Sequence, residues 1–301
     1  MHKQDIIVVG ASAGGVEALQ HFSASLPRDL PAAVFIVLHI GNGINGNSYL
    51  PAILSRTGPL PAALAEDREE IQHGRIYVAR PDLHLIVREG IVHVVRGPKE
   101  NLTRPAINPL FRSAAEAYGA RVAGVILTGL LDDGVAGLAE VKRRGGVAVV
   151  QNPESALYPS MPASAVEHVD VDYVLEIQQM GEVLNHLACT PRISIEAVEP
   201  MNRNLTKLTC PECRGPMWEE RQGKIVEYRC RVDHVFSPLT LSEEHRATVE
   251  RTIWSALVAI EEAAEIGEQL APELGPAALE QTRLKRAQAA ILKKMLKDLG
   301  S

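Results

Sequence analysis

Four short runs of this chain, Ile6–Val9, Ala33–Leu38, Val122–Leu127 and Val147–Val150, are apolar throughout and rich in valine and isoleucine. A strand with one wet face alternates apolar and polar residues. These runs do not alternate, so they suit strands covered by helices on both faces of a parallel sheet. Amphipathic helical patterns accompany them at Gly15–Ser25, Asn108–Tyr118 and Gly134–Arg143, and another closes the region near Glu176–Leu187. The rhythm implies βαβ units with right-handed crossovers. Ile76–Ala79, His84–Arg88 and Ile91–Arg96 break it and read as antiparallel strands, the last two joined by a tight hairpin at Glu89-Gly90. The expected fold class is α/β: a doubly wound, mostly parallel sheet with a β-hairpin insertion.

The remaining third differs. Residues 191–204 read as a linker, 205–240 as a compact cysteine-bearing module, and 241–301 as a helical hairpin, leaving 1–190 as the α/β domain. Val249, Ile253, Leu257, Ile260 and Ala264 form an apolar stripe on the first helix, which Ser242 is expected to cap and Pro272, Gly275 and Pro276 to break. The second helix, about Ala277–Leu299, carries Leu284, Ala287, Ile291 and Met295 on one side and a basic, solvated remainder. The chain has 301 residues, is 46% hydrophobic and carries a net charge of -6, which gives no reason to expect nucleic-acid binding. With neither a signal peptide nor a membrane-length apolar run, a cytoplasmic location is expected. Cys189 stands apart from the other three cysteines and reads as an inert buried thiol.

The first strand runs into Gly10-Ala-Ser12-Ala-Gly14 and then a helix. A serine there is exposed at a sharp turn beside a helix N-terminus, which favours developing negative charge. Alone, the pattern also fits a helix cap, or a phosphate or nucleotide site over Gly10–Gly15, although the Walker lysine and full dinucleotide spacing are missing. His39 ends the next strand, and Asp132 or Asp133 follows Val122–Leu127 in a third strand-to-helix turn. Neighbouring parallel strands present their carboxyl ends along one rim. A hydroxyl, an imidazole base near neutral pKa and an orienting carboxylate are the parts of nucleophilic acyl transfer. The chain order Ser, His, Asp, with serine after the first strand, excludes the α/β-hydrolases.

The stretches Val8-Val-Gly-Ala-Ser-Ala-Gly-Gly15, Leu38-His39, Tyr77–Leu85, Arg104-Pro-Ala-Ile-Asn-Pro-Leu-Phe-Arg-Ser-Ala-Ala115, Leu127-Thr-Gly-Leu-Leu-Asp-Asp-Gly134, Gln151–Ala156 and Pro159–Pro162 together resemble the catalytic domain of the CheB-type protein-glutamate methylesterases of bacterial chemotaxis. The resemblance implies hydrolysis of glutamate γ-methyl esters on a methylated receptor or other signalling protein, with glutamine deamidation in some members. It implies Ser12 as nucleophile, His39 as base, Asp133 rather than Asp132 as orienting acid, and the amides of Ala13 and Leu130 as oxyanion donors, with no catalytic cofactor. Two positions depart from the family: Ala13 replaces a threonine, and Leu130-Leu131 replaces Met-Gly. The receiver domain that usually precedes the esterase is not expected here.

Cys210-Pro-Glu-Cys213 and Cys230-Arg-Val-Asp-His234 are separated by sixteen residues. Two close pairs of soft and borderline donors suit a closed, tetrahedral structural zinc in a ribbon built from Met217–Glu219 and Ile225–Arg229. The mixed charge of that module argues for protein contact rather than nucleic acid, and a regulatory protein on the C-terminal extension is an expected partner. No membrane insertion is expected. The rival reading is a signalling scaffold with a degenerate esterase site.

Overall fold

The computed structural model describes residues 2–39, 48–192, 202–274 and 276–299, with side chains for all of these except 272–274 and 276–278. Residues 40–47, most of the 191–204 linker and Gly275 lie outside the described residues. Two compact units are distinguished, Met1–Thr240 and Leu241–Ser301.

The first unit is built on a seven-stranded sheet. Its strands are β1 (Ile6–Ala11), β2 (Ala33–Leu38), β3 (Ala62–Leu64), β4 (Arg75–Val78), β7 (Val122–Ile126), β8 (Val147–Gln151) and β9 (Tyr173–Leu175). They lie in the order β3-β4-β2-β1-β7-β8-β9, and every pairing is parallel. The winding reverses between β2 and β7, on either side of β1. That reversal is where open α/β sheets leave a crevice.

The apolar runs are explained by two cores. Ile7, Val9, Val34, Ile36, Val125 and Val149 face a core with α1 (Gly15–Ser25), α2 (Leu50–Thr57) and α6 (Ile177–Cys189). The alternate residues Ile6, Val8, Phe35, Val37, Ile126 and Val150 face α3 (Ile107–Tyr118), α4 (Val135–Arg143) and α5 (Ser160–His168). Side chains on a strand alternate between faces, so both sets must be apolar when both faces are covered.

Ile76–Ala79 is a correction. Its residues form β4, which pairs parallel with β2 and β3 inside the main sheet. Only β5 (His84–Arg88) and β6 (Ile91–Val95) form the antiparallel hairpin, with Gly90 in the left-handed region at its tip. Cys189 is a second correction: it is exposed. Met180, Leu184, Leu187 and Ala188 take the buried face of α6, and Cys189 falls one helical step, about 100°, beyond it.

A four-stranded antiparallel sheet completes the first unit, with β10 (Asn202–Thr209), β11 (Pro216–Gln222), β12 (Ile225–Cys230) and β13 (Val235–Phe236) in chain order. It is fastened to the α/β layer by a half-buried ion trio. Arg112 of α3 pairs with Glu100 and reaches Glu227 of β12 at 3.3 Å. The next helix, α7 (Pro238–Leu274), starts earlier than the expected Ser242 cap. Ser237 takes that role: its Oγ accepts from the Thr240 amide at 3.1 Å, with Pro238 at the first helical position, where a missing N–H costs nothing.

In the second unit, α7 and α8 (Pro276–Leu299) pair as a hairpin, with Arg286–Glu268 at 3.1 Å and Lys293–Glu261 at 2.7 Å. Ile253, Leu257, Ala264 and Ala289 are buried. Val249, Leu284, Ile291 and Met295 from the expected stripes are exposed. Among the described residues, no helix is long and apolar enough to cross a membrane.

Candidate active site

Residues at the rim of the sheet inherit their positions from its register. Ala11 is the partner of Leu38, so Ser12 and His39 each extend one residue beyond a paired rung. The His39 amide donates to Ala11 O at 3.1 Å and the Ser12 amide to Thr128 O at 3.0 Å, tying β1, β2 and the turn after β7 together. Gly14 turns the chain into α1 with φ 71°, a conformation that any side chain would strain. At Gly129, an added Cβ would lie 2.9 Å from Ser12 Cβ. Glycine is what lets the β7 turn approach the serine so closely.

Ser12 Oγ lies 3.1 Å from His39 Nδ1, and His39 Nε2 lies 2.9 Å from Asp133 Oδ2. The hydroxyl, imidazole and carboxylate thus form one line, with Nδ1 turned to the serine and Nε2 to the acid. In the productive tautomer Nε2 carries the proton and donates to Asp133, leaving Nδ1 free to accept.

Asp133 is buried. Its Oδ2 also accepts the Ile107 amide at 2.6 Å, and its Oδ1 accepts Asn101 Nδ2 at 3.0 Å. Ile107 opens α3, so the carboxylate caps that helix from a different loop and meets its positive end. Burial pushes the Asp133 carboxyl up, but His39, the Ile107 amide and Asn101 together outweigh it and hold it below the ordinary aspartate range. Asp132 is placed differently. Its Oδ1 accepts from Ser237 Oγ at 2.5 Å, and burial raises its carboxyl. Asp132 makes no hydrogen bond to His39; Asp133 does.

Among the described residues, the Ala13 and Leu130 amides have no backbone acceptor within the chain. Leu131 has φ 60°, left-handed backbone that disfavours a branched side chain by about 1–2 kcal/mol. The Met-Gly to Leu-Leu departure therefore places leucine where glycine is conformationally at ease.

Asn101 and Thr103 escaped sequence reasoning. Thr103 Oγ1 lies 3.3 Å from His39 Nε2. Neither residue belongs to a strand end; the turn is marked by the positive φ of Asn101 and Leu102. A cavity of about 520 Å³ beside α5 and β12 is bordered by Asp132, Ser160, Ile225 and Leu239 but by none of Ser12, His39 or Asp133.

The four expected metal ligands also meet. The donor atoms of Cys210, Cys213, Cys230 and His234 lie within 4.8 Å of one another. Cys213 and Cys230 sulfurs are 3.6 Å apart, and His234 Nδ1 is 3.7 Å from Cys210 and 3.6 Å from Cys230. Four ligands around zinc give tetrahedral edges of about 3.8 Å between sulfurs and about 3.5 Å between sulfur and nitrogen. A disulfide would need about 2.05 Å. The donor set and its spacing fit a tetrahedral ion.

The α/β portion has relatives of known type. A protein of Leptospira interrogans, named for protein-glutamate methylesterase and protein-glutamine glutaminase activity, is 39% identical over 184 residues, covering 61% of this chain and 94% of that protein. A protein-glutamate methylesterase/protein-glutamine glutaminase of the archaeon Methanosarcina mazei is 35% identical over 60% of this chain, which spans half of that relative's length. Such relatives are therefore not confined to bacteria. The crystal structure of the Thermotoga maritima CheB methylesterase catalytic domain superposes with TM-score 0.58 at 34% identity, covering 62% of this chain and 99% of that domain. The family profile described as CheB methylesterase matches residues 7–184, the span that supplies every side chain in the Ser12–His39–Asp133 line, and the chain belongs to that family.

Proposed function

We propose that this chain is a serine hydrolase that removes methyl groups from glutamate γ-methyl esters on a signalling protein such as a methylated chemoreceptor, and that it deamidates glutamine by the same route. The observation that carries this reading is the unbroken Ser12–His39–Asp133 line. Ser12 Oγ attacks the ester carbonyl while His39 Nδ1 takes its proton. The developing oxyanion faces the Ala13 and Leu130 amides, and Asp133 stabilises the imidazolium through Nε2–H. His39 then gives the proton to the departing methoxide, which leaves as methanol. Water, deprotonated by His39, attacks the acyl-enzyme and releases glutamate and Ser12. With glutamine, ammonia replaces methanol.

Beyond the esterase at 1–190, we read residues 205–240 as a zinc ribbon held by Cys210, Cys213, Cys230 and His234, and 241–301 as a helical hairpin offering a surface for a regulatory protein. A bound dication would stabilise the thiolates and fix the two turns that carry them, so the ribbon's small sheet would depend on the ion.

Fluorophosphonate labelling with mapping of the modified residue tests the esterase reading. Labelling of Ser12 in wild type, its loss in Ser12→Ala, and methanol release from a methylated receptor peptide are expected. An unlabelled wild type with intact partner capture would favour the scaffold instead.

A further inference from the structure

We propose that Asn101 is a positioning residue for the triad acid and that the Cys₃His ribbon holds it in place, so that metal occupancy of the ribbon governs the esterase; this rests on the esterase reading above. Asn101 is buried, and its side-chain oxygen, side-chain nitrogen and backbone amide are each hydrogen-bonded. Its Nδ2 donates to Asp133 Oδ1 at 3.0 Å. Its Oδ1 accepts the Ser237 amide at 2.8 Å, and its own amide donates to Val235 O at 2.8 Å. Val235 directly follows the ligand His234, whose carbonyl accepts the Cys230 amide at 3.0 Å. A metal closing the Cys230–His234 turn therefore fixes β13, β13 fixes Asn101, and Asn101 fixes the outer oxygen of Asp133.

The turn that carries Asn101 is itself held against its preference. Asn101 and Leu102 have φ 47° and 65°, and Glu100 and Thr103 exchange backbone hydrogen bonds across it. Asparagine tolerates such a turn, whereas leucine does not favour it. Left-handed leucine persists only where the surroundings over-determine the backbone. Here the surroundings are β13, which bridges Glu100 through Val235, and the Glu100–Arg112–Glu227 trio. Both come from the ribbon or touch it. Without the ribbon's order, the Asn101 amide has no fixed orientation toward Asp133.

The test compares full-length wild type and Asn101→Gly, each metal-loaded, chelator-stripped and reloaded with zinc. Glycine suits the left-handed backbone and keeps the amide N–H while deleting the side chain. Stripping wild type is expected to lower the Ser12 labelling rate and the kcat for a model methyl ester about tenfold, with KM unchanged and full recovery on zinc. Metal-loaded Asn101→Gly is expected at the same low level, and stripping it should change nothing further, because coupled residues do not add. Equal rates in loaded and stripped wild type would overturn the proposal. So would a stripping effect in Asn101→Gly as large as that in wild type. Hydrogen exchange at the Asn101 and Ile107 amides supplies an arm independent of chemistry. Loss of protection on stripping supports the link, and unchanged protection refutes it. If metal-loaded wild type does not label, the esterase reading falls and the exchange arm alone decides the link.

Discussion

Asp133→Asn is the most informative single change, because the surroundings of Asp133 leave an amide no comfortable orientation. The carboxylate accepts three hydrogen bonds: Oδ2 takes His39 Nε2 and the Ile107 amide, and Oδ1 takes Asn101 Nδ2. If the amide oxygen occupies the Oδ2 position, its NH₂ confronts the NH₂ of Asn101. That group cannot flip freely, since Asn101 Oδ1 already receives the Ser237 amide. If the amide oxygen occupies the Oδ1 position, its NH₂ confronts the Ile107 amide and presents a donor to His39 Nε2. The imidazole then places its proton on Nδ1, facing Ser12, and has no base to offer. Either orientation forfeits at least one buried hydrogen bond, about 1–3 kcal/mol of stability. The second also blocks proton transfer, for which about 10³–10⁴-fold, or roughly 4–5.5 kcal/mol of barrier, is expected. The assay is the second-order rate of fluorophosphonate labelling at Ser12, with urea unfolding measured in parallel. Asp132→Asn serves as the comparison and is expected within tenfold of wild type. An Asp133→Asn rate within threefold of wild type, or a larger loss in Asp132→Asn, would refute the assignment.

Other outcomes follow from the same geometry. Arg112→Ala leaves Glu100 and Glu227 facing each other without their cation; because the trio is half-buried, a loss of about 1–3 kcal/mol, between that of an exposed and a fully buried pair, is expected in chemical denaturation, and an unchanged midpoint would contradict its fastening role. Gly129→Ala sets a methyl 2.9 Å from Ser12 Cβ and 2.7 Å from Met161 Cε. The flexible methionine yields more readily than the strand end, so overpacking of about 1–3 kcal/mol should accompany a drop in labelling, and unchanged labelling would disprove the close approach. The two aspartates have opposite pH signatures. Asp133, held low in the fold, contributes stability that is present above its unfolded pKa of about 3.9 and lost as pH falls through its lower folded value. Asp132, raised mainly by burial, destabilises above its folded pKa and is relieved as pH falls; Asp132→Asn should gain stability at pH 7 and lose that gain toward pH 4, as urea titrations at both values would reveal. One zinc per chain by elemental analysis is expected, falling to none in Cys210→Ser; a full complement in that variant would exclude the Cys₃His site.

Strands buried on both faces announce themselves, because every residue must be apolar; Ala33–Leu38 is legible for that reason. Edge strands of three residues, Ala62–Leu64 and Tyr173–Leu175, are only half-buried and carry no such signature. Ile76–Ala79 misled by proximity. It precedes a genuine hairpin, yet its partners are Ala33–Ile36, some forty residues earlier, a pairing that local pattern cannot report. Ser12, His39 and the Asp132–Asp133 pair were readable because strand ends place chemistry at one rim, and the family resemblance singled out Asp133. Asn101 was not, since its importance lies in contacts with Asp133, Val235 and Ser237, which are distant in the chain.

Ser12 and His39 stand one residue past matched rungs of adjacent strands. Their separation is therefore set by the spacing of the ladder, about 4.8 Å, and not by the connecting loops. A one-residue slip of β1 against β2 would carry the hydroxyl about 3.3 Å along the strand and away from the imidazole. The register of two central strands is thus itself part of the catalytic apparatus.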